Sequence, residues 1–576
     1  MASSETSLTK LQKAVENSWG TLRPFRRNRD TILREYAGHL YGKNAGRMKP
    51  VYLNRLKQTG TAYLMALSAN NPKVLVTTDN QGLKAFAFRF QQSLNRLITR
   101  IDLKRTIDGV IMDAFFGIGI AKVCLADGFE VEIGGTTYDI GLPSAKRVSL
   151  ENWVHDTGAQ EWNDIQFCGH RYRAPLAAVK EDDRFDRKIT RELTGDSKYP
   201  QRRDGEVSSV MHEGIDCDEL EEHVDLWEIF LPRTNRIITV TAEGEGIGTK
   251  KLSDIEWIGP EKGPYRFLGF DDLPDNTMPI PPAYNLYELH MLENNLMRKQ
   301  AAQAKRQKDV GIYPGGAEDT VNRINKTADG EWLKSDRAKD INFMKMGGVD
   351  AGNFNFLQSV HQHYNEQSGN LQAMLGLGPM SDTAGQDRMI NENVSETIAK
   401  MQARVTRFTT EVCRDLGLLS WDHNGLVLPG TEDLGSGITI DTSWTPAHRQ
   451  GQFIDHQITI EPYSQAYQSP GERAKKVMNY VMSVVLPSMP MRMEQGAQVK
   501  WQKIDKMISE YDNIPELMDI TEWSEPIQQE GVGPSHQQMK PAMTQRTVVR
   551  QNGGPRQAPI QMPMQQQPMG AEMGAM

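Results

Sequence analysis

The chain has 576 residues, a net charge of −8 and 38% hydrophobic residues, with a mean hydropathy of −0.56 and a pI near 5.9. Such a length supports a large core and several domains, while the acidic balance lacks the global basic signature of a tight nucleic-acid binder. The most apolar run near the C-terminus, Val477 to Pro487, is too short for a bilayer and carries Asn479 and Ser483. The N-terminal residues lack the apolar core of a signal peptide. The chain is therefore expected to stay in a cytoplasm or to be packaged from one.

From the N-terminus, Leu8, Leu11, Val15, Trp19 and Leu22 step by three or four residues and predict a helix. Ile32, Leu33, Tyr36 and Leu40 continue the pattern after Pro24. Asn71 to Thr78 reads as a turn and a short strand, and Phe86 to Ile101 as a helix. Ile107 to Gly128 reads as a helix passing into a strand, with Gly117 and Gly119 at the break. From about 129 to 282 the texture is β-rich, in "FEVEIGG", "VDLWEIFL" and "RIITVTAEG". Within it, the charged stretch Glu181 to Glu222 shows little apolar periodicity and reads as an exposed insertion.

A proline-rich joint, Leu273 to Asn285, ends that region. Ala283 to Asp309 is rich in strong helix formers without glycine or proline, Val310 to Asn353 is mixed and glycine-punctuated, and Phe354 to Leu375 is helical again. The glycine-rich stretch "LGLGPMSDTAGQDR" (Leu375 to Arg388) follows. After it, Ile390, Val394, Ile398, Met401, Val405, Phe408, Val412, Leu416 and Leu419 form one apolar helical stripe. Ser381, Asp382 or Thr383 offers a cap for an early turn, although Gly385 obscures the start. Residues 421–463 return to β and turn chemistry. Helical pattern resumes at Ser469 to Pro487 and at Gln498 to Tyr511. From about Ser524 a Gln-, Met-, Pro- and Gly-rich tail has no periodicity and is expected to be disordered.

Motifs for chemistry are sparse. Cys124, Cys168, Cys217 and Cys413 are scattered without a CxxC pair, which favours buried free thiols over disulfides or a zinc site. "LGLGPM" lacks P-loop spacing, no lysine follows it at the helix start, and helix rather than strand precedes it. A hairpin joint or a moving loop is the simpler reading. His361 and His363 stand two apart, on different helix faces, and do not chelate one metal. His212 to His223 collects histidines, a cysteine and carboxylates at no closed zinc spacing, and reads as a solvated acidic loop. The basic run Arg23 to Arg34 offers charge to phosphate, with a solvated face or pairing to neighbouring acids as the favoured reading. A second run, Arg298 to Lys308, complements a helix dipole and would attract phosphate non-specifically if it faced DNA. No GxSxG, HExxH or P-loop is present, so no catalytic residue, cofactor or metal is assigned and the chain reads as a non-enzyme.

The order of these pieces resembles the portal protein of tailed bacteriophages. "RMKPVYLNRLKQTGTAYLMALSANNPKVLVTT", "MDAFFGIGIAKV" and "SLENWVHDTGAQEWNDIQFCGHRYRAPLAAVKE" resemble portal wing segments. "LGLGPMSDTAGQDRMINENVSETIAKMQARV" resembles the tunnel loop and the long helix after it, with "TAGQDR" where many portals have a "TAxE" form. The likeness spans about residues 20 to 520.

The resemblance implies an α+β portal fold. Its wing would be residues 1–282, the long helix 387–420, and 421–463. The stem would be 283–309 and 354–375, the clip 310–353, the tunnel loop 376–386, the crown 464–524 and the low-complexity tail 525–576. It further implies a homo-oligomeric ring, usually a dodecamer, at one capsid vertex of the virion. Such a ring conducts double-stranded DNA in packaging and ejection, docks the terminase large subunit and then a head–tail adaptor, and nucleates assembly with major capsid and scaffolding proteins; no membrane is involved. By the same likeness, Gly378, Pro379, Met380, Ser381, Asp382 and Thr383 would face DNA from the tunnel loop. Arg298, Lys299, Lys305, Arg306 and Lys308 would face it from the stem. Arg323, Lys326, Glu331, Trp332 and Lys334 would contact terminase or adaptor from the clip. Stem helices without evident caps would find neighbours in such a ring. Another structural head component, scaffold-like or a connector, is the second expectation, and a nucleic-acid or nucleotide enzyme a third.

Overall fold

Leu11, Val15, Trp19, Leu22 and Ile32 are buried along one 30-residue helix, α1 (Leu8–Ala37), in a computed structural model of the chain. The helix runs through Pro24, although proline removes a donor from the ladder. The structure describes residues 8–38, 52–68, 71–126, 130–133, 136–139, 141–198, 218–244, 246–312, 315–316, 318–326, 332, 334, 342–346, 348–369, 384–423, 426, 431–433, 439–441, 445–460 and 478–489. The chain divides into two units, Met1–Ser469 and Pro470–Met576. In the second, the described residues 478–489 are helical, with a π-helical turn over Val481–Val485.

The first unit is mixed α+β. After α1 come α2 (Arg55–Leu67), β1 (Val74–Thr77), α3 (Lys84–Arg100), α4 (Leu103–Phe116) and β2 (Gly119–Ala126). Strands β3 (Glu130–Ile133), β4 (Thr136–Asp139), β5 (Leu142–Val148), β6 (Trp153–His155) and β7 (Cys168–Pro175) follow. Next are α5 (Leu176–Glu181), α6 (Arg187–Arg191), β8 (Asp196–Lys198), β9 (Asp218–Leu231), β10 (Arg236–Glu243), β11 (Gly246–Glu256) and β12 (Tyr265–Leu268). The remaining elements are α7 (Pro282–Arg306), β13 (Lys308–Ile312), α8 (Glu318–Ile324), β14 (Asn342–Met346), α9 (Ala351–Gln367), α10 (Ala384–Asp422), β15 (Thr431–Asp433), β16 (Thr439–Asp441) and β17 (Gln457–Ile460).

The largest sheet has the order β11-β10-β9-β7-β6 with β8 on β9, and a second has the order β12-β2-β5. β1 pairs antiparallel with β17, Val74 opposite Ile460, so the chain's first strand is completed by a segment nearly four hundred residues later. The main core gathers apolar faces of α2, α3, α4 and α10. Ile398, Val405, Phe408, Val412, Leu416 and Leu419 of the α10 stripe are buried there. Each such burial is worth about 1.5–3 kcal/mol. Ile390 and Val394 lie on the helical backbone, outside the residues whose side chains are described. α10 begins at Ala384 and takes Gly385 inside it.

Gly119 turns α4 into β2 because nothing larger fits. A Cβ there would lie 2.4 Å from the carbonyl oxygen of Val110, a backbone atom that cannot swing away. Gly119→Ala is expected to cost about 1–3 kcal/mol in urea unfolding. An unchanged midpoint would mean that helix and strand separate freely.

Of the two readings expected for the basic run on α1, pairing to neighbouring acids holds at Arg29, and Arg26 is buried on carbonyls instead of lying on a solvated face. Arg26 lies under the ring of Trp19, 3.6 Å from its centroid, and donates to the carbonyls of Trp19 at 2.9 Å and Trp153 at 3.1 Å. Arg29 donates to Asp113 at 3.0 Å and to Glu151 at 3.1 Å, and Arg147 closes on the same Asp113. These two arginines serve the interior, because buried guanidinium groups need acceptors on several sides. The charged stretch after Glu181 is also partly structural. Leu193 packs with Leu176, Val179, Val224, Leu226 and Leu252, while residues 199–217 lie outside the described part.

Cys168 and Cys413 are buried and Cys124 partly so, all as free thiols; Cys217 and His212 fall outside the described residues. Among the described residues, no helix is long and apolar enough to cross a membrane.

Candidate functional site

A helical hairpin carrying a small module at its tip is the feature that the rest of the first unit positions. α7 starts with Pro282 at its first position, where the missing donor costs nothing. It ends where Gln307 turns extended. β13 and β14 then pair antiparallel, Lys308 opposite Met346 and Ile312 opposite Asn342, with α8 on the connection between them. Asp350 opens α9 by accepting the N–H of Asn353 at 3.1 Å, so this helix does have a cap of its own. α9 ends at Gln367, where Gly369 takes a φ of 79°. Helix was expected over 283–309 and 354–375. The first stops three residues earlier, and the second starts earlier and stops at a glycine cap.

Cross-hairpin contacts show that α7 and α9 run antiparallel. Lys299 Nζ donates to Asn353 Oδ1 at 3.3 Å near the tip, and Glu293 meets His361 near the root. The root is a buried polar lock. Arg55 Nε of α2 donates to Glu293 Oε1 at 2.8 Å, and His361 Nδ1 lies 3.2 Å from the same oxygen. Arg55 Nη1 reaches Asn365 Oδ1 at 3.5 Å. Asn294 holds Leu53 from both sides, accepting its N–H at 2.8 Å and donating to its carbonyl at 3.0 Å. Tyr364 shares a 3.0 Å hydrogen bond with Thr59, and burial raises its hydroxyl pKa to about 12, against the lowering by Thr59 and Arg55. Glu293 and Asn294 are 2% and 0% exposed. A buried network that joins three helices through this many partners favours one orientation of the hairpin on its base.

The residues proposed from sequence distribute as follows. Arg298, Lys299, Lys305 and Arg306 lie on α7, with Arg298 Nη1 donating to Asn295 Oδ1 at 3.1 Å and Lys305 and Arg306 exposed in the last turn. Lys308 belongs to β13 and not to the helix, because Gln307 has already left helical geometry. Arg323, Lys326 and Lys334 are exposed at the tip, and Trp332 is fully exposed. Glu331 lies outside the described residues, as do Gly378, Pro379, Met380, Ser381, Asp382 and Thr383. His361 and His363 diverge as expected: His361 faces Glu293, and His363 lies 3.4 Å from Glu366.

Sequence reading missed the lock itself. Its signal was available as polar residues at helical spacing on otherwise inward faces: His290, Glu293 and Asn294 on one helix, His361, Tyr364 and Asn365 on the other. Among the described residues, no three histidine, cysteine or carboxylate side chains converge to hold a metal. No protein-family model matches this chain, and no curated protein is similar to it in sequence.

Proposed function

We propose that this protein is a portal-type ring subunit whose copies stand side by side around a channel for double-stranded DNA. The observation that carries the reading is the hairpin. Its helices pair with each other and lock into α2 at the root, yet they leave large apolar side chains uncovered. Tyr284 and Leu292 on α7 are 52% and 38% exposed, and Phe354 and Phe356 on α9 are 47% and 50% exposed. A stalk with apolar residues on both helices is suited to a heterologous contact, which closes into a ring when the rotation between copies allows it. The exposed cations Lys299, Lys305 and Arg306 on the stalk offer non-specific attraction to phosphate within an acidic chain. In this reading the tip with Trp332 and its nearby cations serves the packaging motor and later the tail adaptor, and the glycine-rich stretch 376–383 ahead of α10 comes nearest the DNA.

The test is the assembly state. Purified protein is expected to form rings with a central hole in electron micrographs and by mass photometry. The double variant Phe354→Asp/Phe356→Asp is expected to shift the population to monomers while its unfolding midpoint stays within error, since both side chains are exposed. A wild-type protein that remains monomeric at micromolar concentration, with no ring in micrographs, would defeat the proposal.

A further inference from the structure

We propose that a second site, the cleft where the β12-β2-β5 sheet meets β7, β9, β10 and β11, docks an acidic peptide segment of a partner protein through one apolar anchor. The inference goes beyond the ring reading and does not depend on it. The cleft has a volume of about 750 Å³, a size that takes side chains or a short peptide segment. Lys122, Lys146, Arg147, Arg171, Arg173 and Arg184 line it against the carboxylates Glu228 and Glu256. A cationic cleft in a chain of net charge −8 is a local reversal of sign, and low-dielectric walls focus such a field.

Most of these cations are already oriented. Lys122 Nζ sits 2.7 Å from Glu228, Arg171 and Arg173 share Asp225 at 2.6 and 3.4 Å, and Arg184 holds Asp182 at 2.6 Å. Lys146 is exposed and forms no ion pair among the described residues, so it has a whole charge to offer a ligand. The most exposed apolar side chains of the lining are aliphatic: Leu125, Ile255 and Ile258 are 48%, 46% and 82% exposed, while Tyr172, Phe185 and Trp257 are half-buried. Exposed aliphatic side chains beside cations suit a hydrophobic side chain flanked by carboxylates. Strand addition does not explain the surface. The outer edge of β11 is occupied, with Ile247 and Gly248 carbonyls accepting from Gln12 and the Leu252 carbonyl accepting from the Asp186 N–H. The ligand therefore enters side chain first.

The experiment uses the full chain with a Cys217→Ser change and a fluorescein-labelled octapeptide, EELDWLED, as probe. Fluorescence anisotropy is expected to show saturable binding that Lys146→Glu and Ile258→Asp each weaken at least tenfold, without a change in unfolding midpoint. Bound peptide is also expected to slow maleimide labelling of Cys124, which lines the cleft. Equal affinity of the wild type and Lys146→Glu overturns the proposal, as does equal binding of an octapeptide of glutamates alone. Displacement of the peptide by a ten-nucleotide thymidine oligomer that binds more tightly would assign the cleft to nucleic acid. Loss of peptide binding as protein concentration rises would assign it to a second copy of the chain.

Discussion

Glu293→Ala is expected to lower the unfolding free energy by about 3–5 kcal/mol, the size of the penalty for breaking a buried ion pair from one side. Glu293 is the shared acceptor of Arg55 and His361, and its side chain is 3% exposed against 14% for Arg55. Removing it strands a guanidinium that has little access to water. Glu293→Gln keeps an acceptor of the same shape and is expected to cost less, because the loss is then charge without volume. Urea unfolding checks both, with the exposed Glu288→Ala on the same helix as the reference. If Glu293→Ala unfolds at the same urea concentration as Glu288→Ala, the root lock does not stabilise the hairpin. Should the ring form, the same change is expected to disorder the stalk and reduce assembly, which separates this variant from the Phe354/Phe356 pair by its stability loss.

Acid is expected to destabilise the folded chain from about pH 6.5 downward. His155 is buried beside Trp153 and Thr277: the Trp153 indole N–H donates to its Nδ1 at 3.1 Å and its Nε2 lies 2.8 Å from the threonine hydroxyl. Burial, with Arg26 nearby, pushes its pKa down to about 3. His170, 2.8 Å from the Tyr265 hydroxyl, is pushed down to about 4 by burial and Lys122, against the opposing pull of Glu228. Both are depressed bases, so the folded state binds fewer protons than the unfolded one between these values and 6.5. Their stabilisation is complete above pH 6.5 and is lost as pH falls toward 4 and 3. At pH 5 each contributes a loss of about 2 kcal/mol. Asp415, raised to about 6 by burial despite its 2.6 Å contact with Arg266, works the other way and offsets part of this. Urea midpoints from pH 7.5 to 5 are expected to fall, and His155→Asn/His170→Asn to flatten the slope. The same slope in that variant would remove these histidines from the account.

The legible part of the fold was local. The α10 stripe, the amphipathic α1, and the Gly119 break between α4 and β2 each declare themselves by spacing or by a residue that only one backbone path accepts. The alternation of Val74 and Val76 announced a strand but not its partner, since Ile458 and Ile460 lie far along the chain. The candidate site was legible in outline: a glycine-free helix, a broken module, a returning helix. Its root was not, because Arg55, Glu293 and His361 are charged or titratable residues whose burial depends on three helices meeting.

The sequence by itself determined where the long helices and the most apolar strands lie, because hydrophobic period and turn residues are local properties of the chain. Tertiary structure alone decided which charges serve the interior. Arg26 and Arg29 share one basic run with Arg23 and Arg27, yet the first two are buried on carbonyls and acids while Arg23 is half-buried and Arg27 is exposed. Charge is written in the residue, but its role is set by the dielectric and the partners that distant segments bring to it.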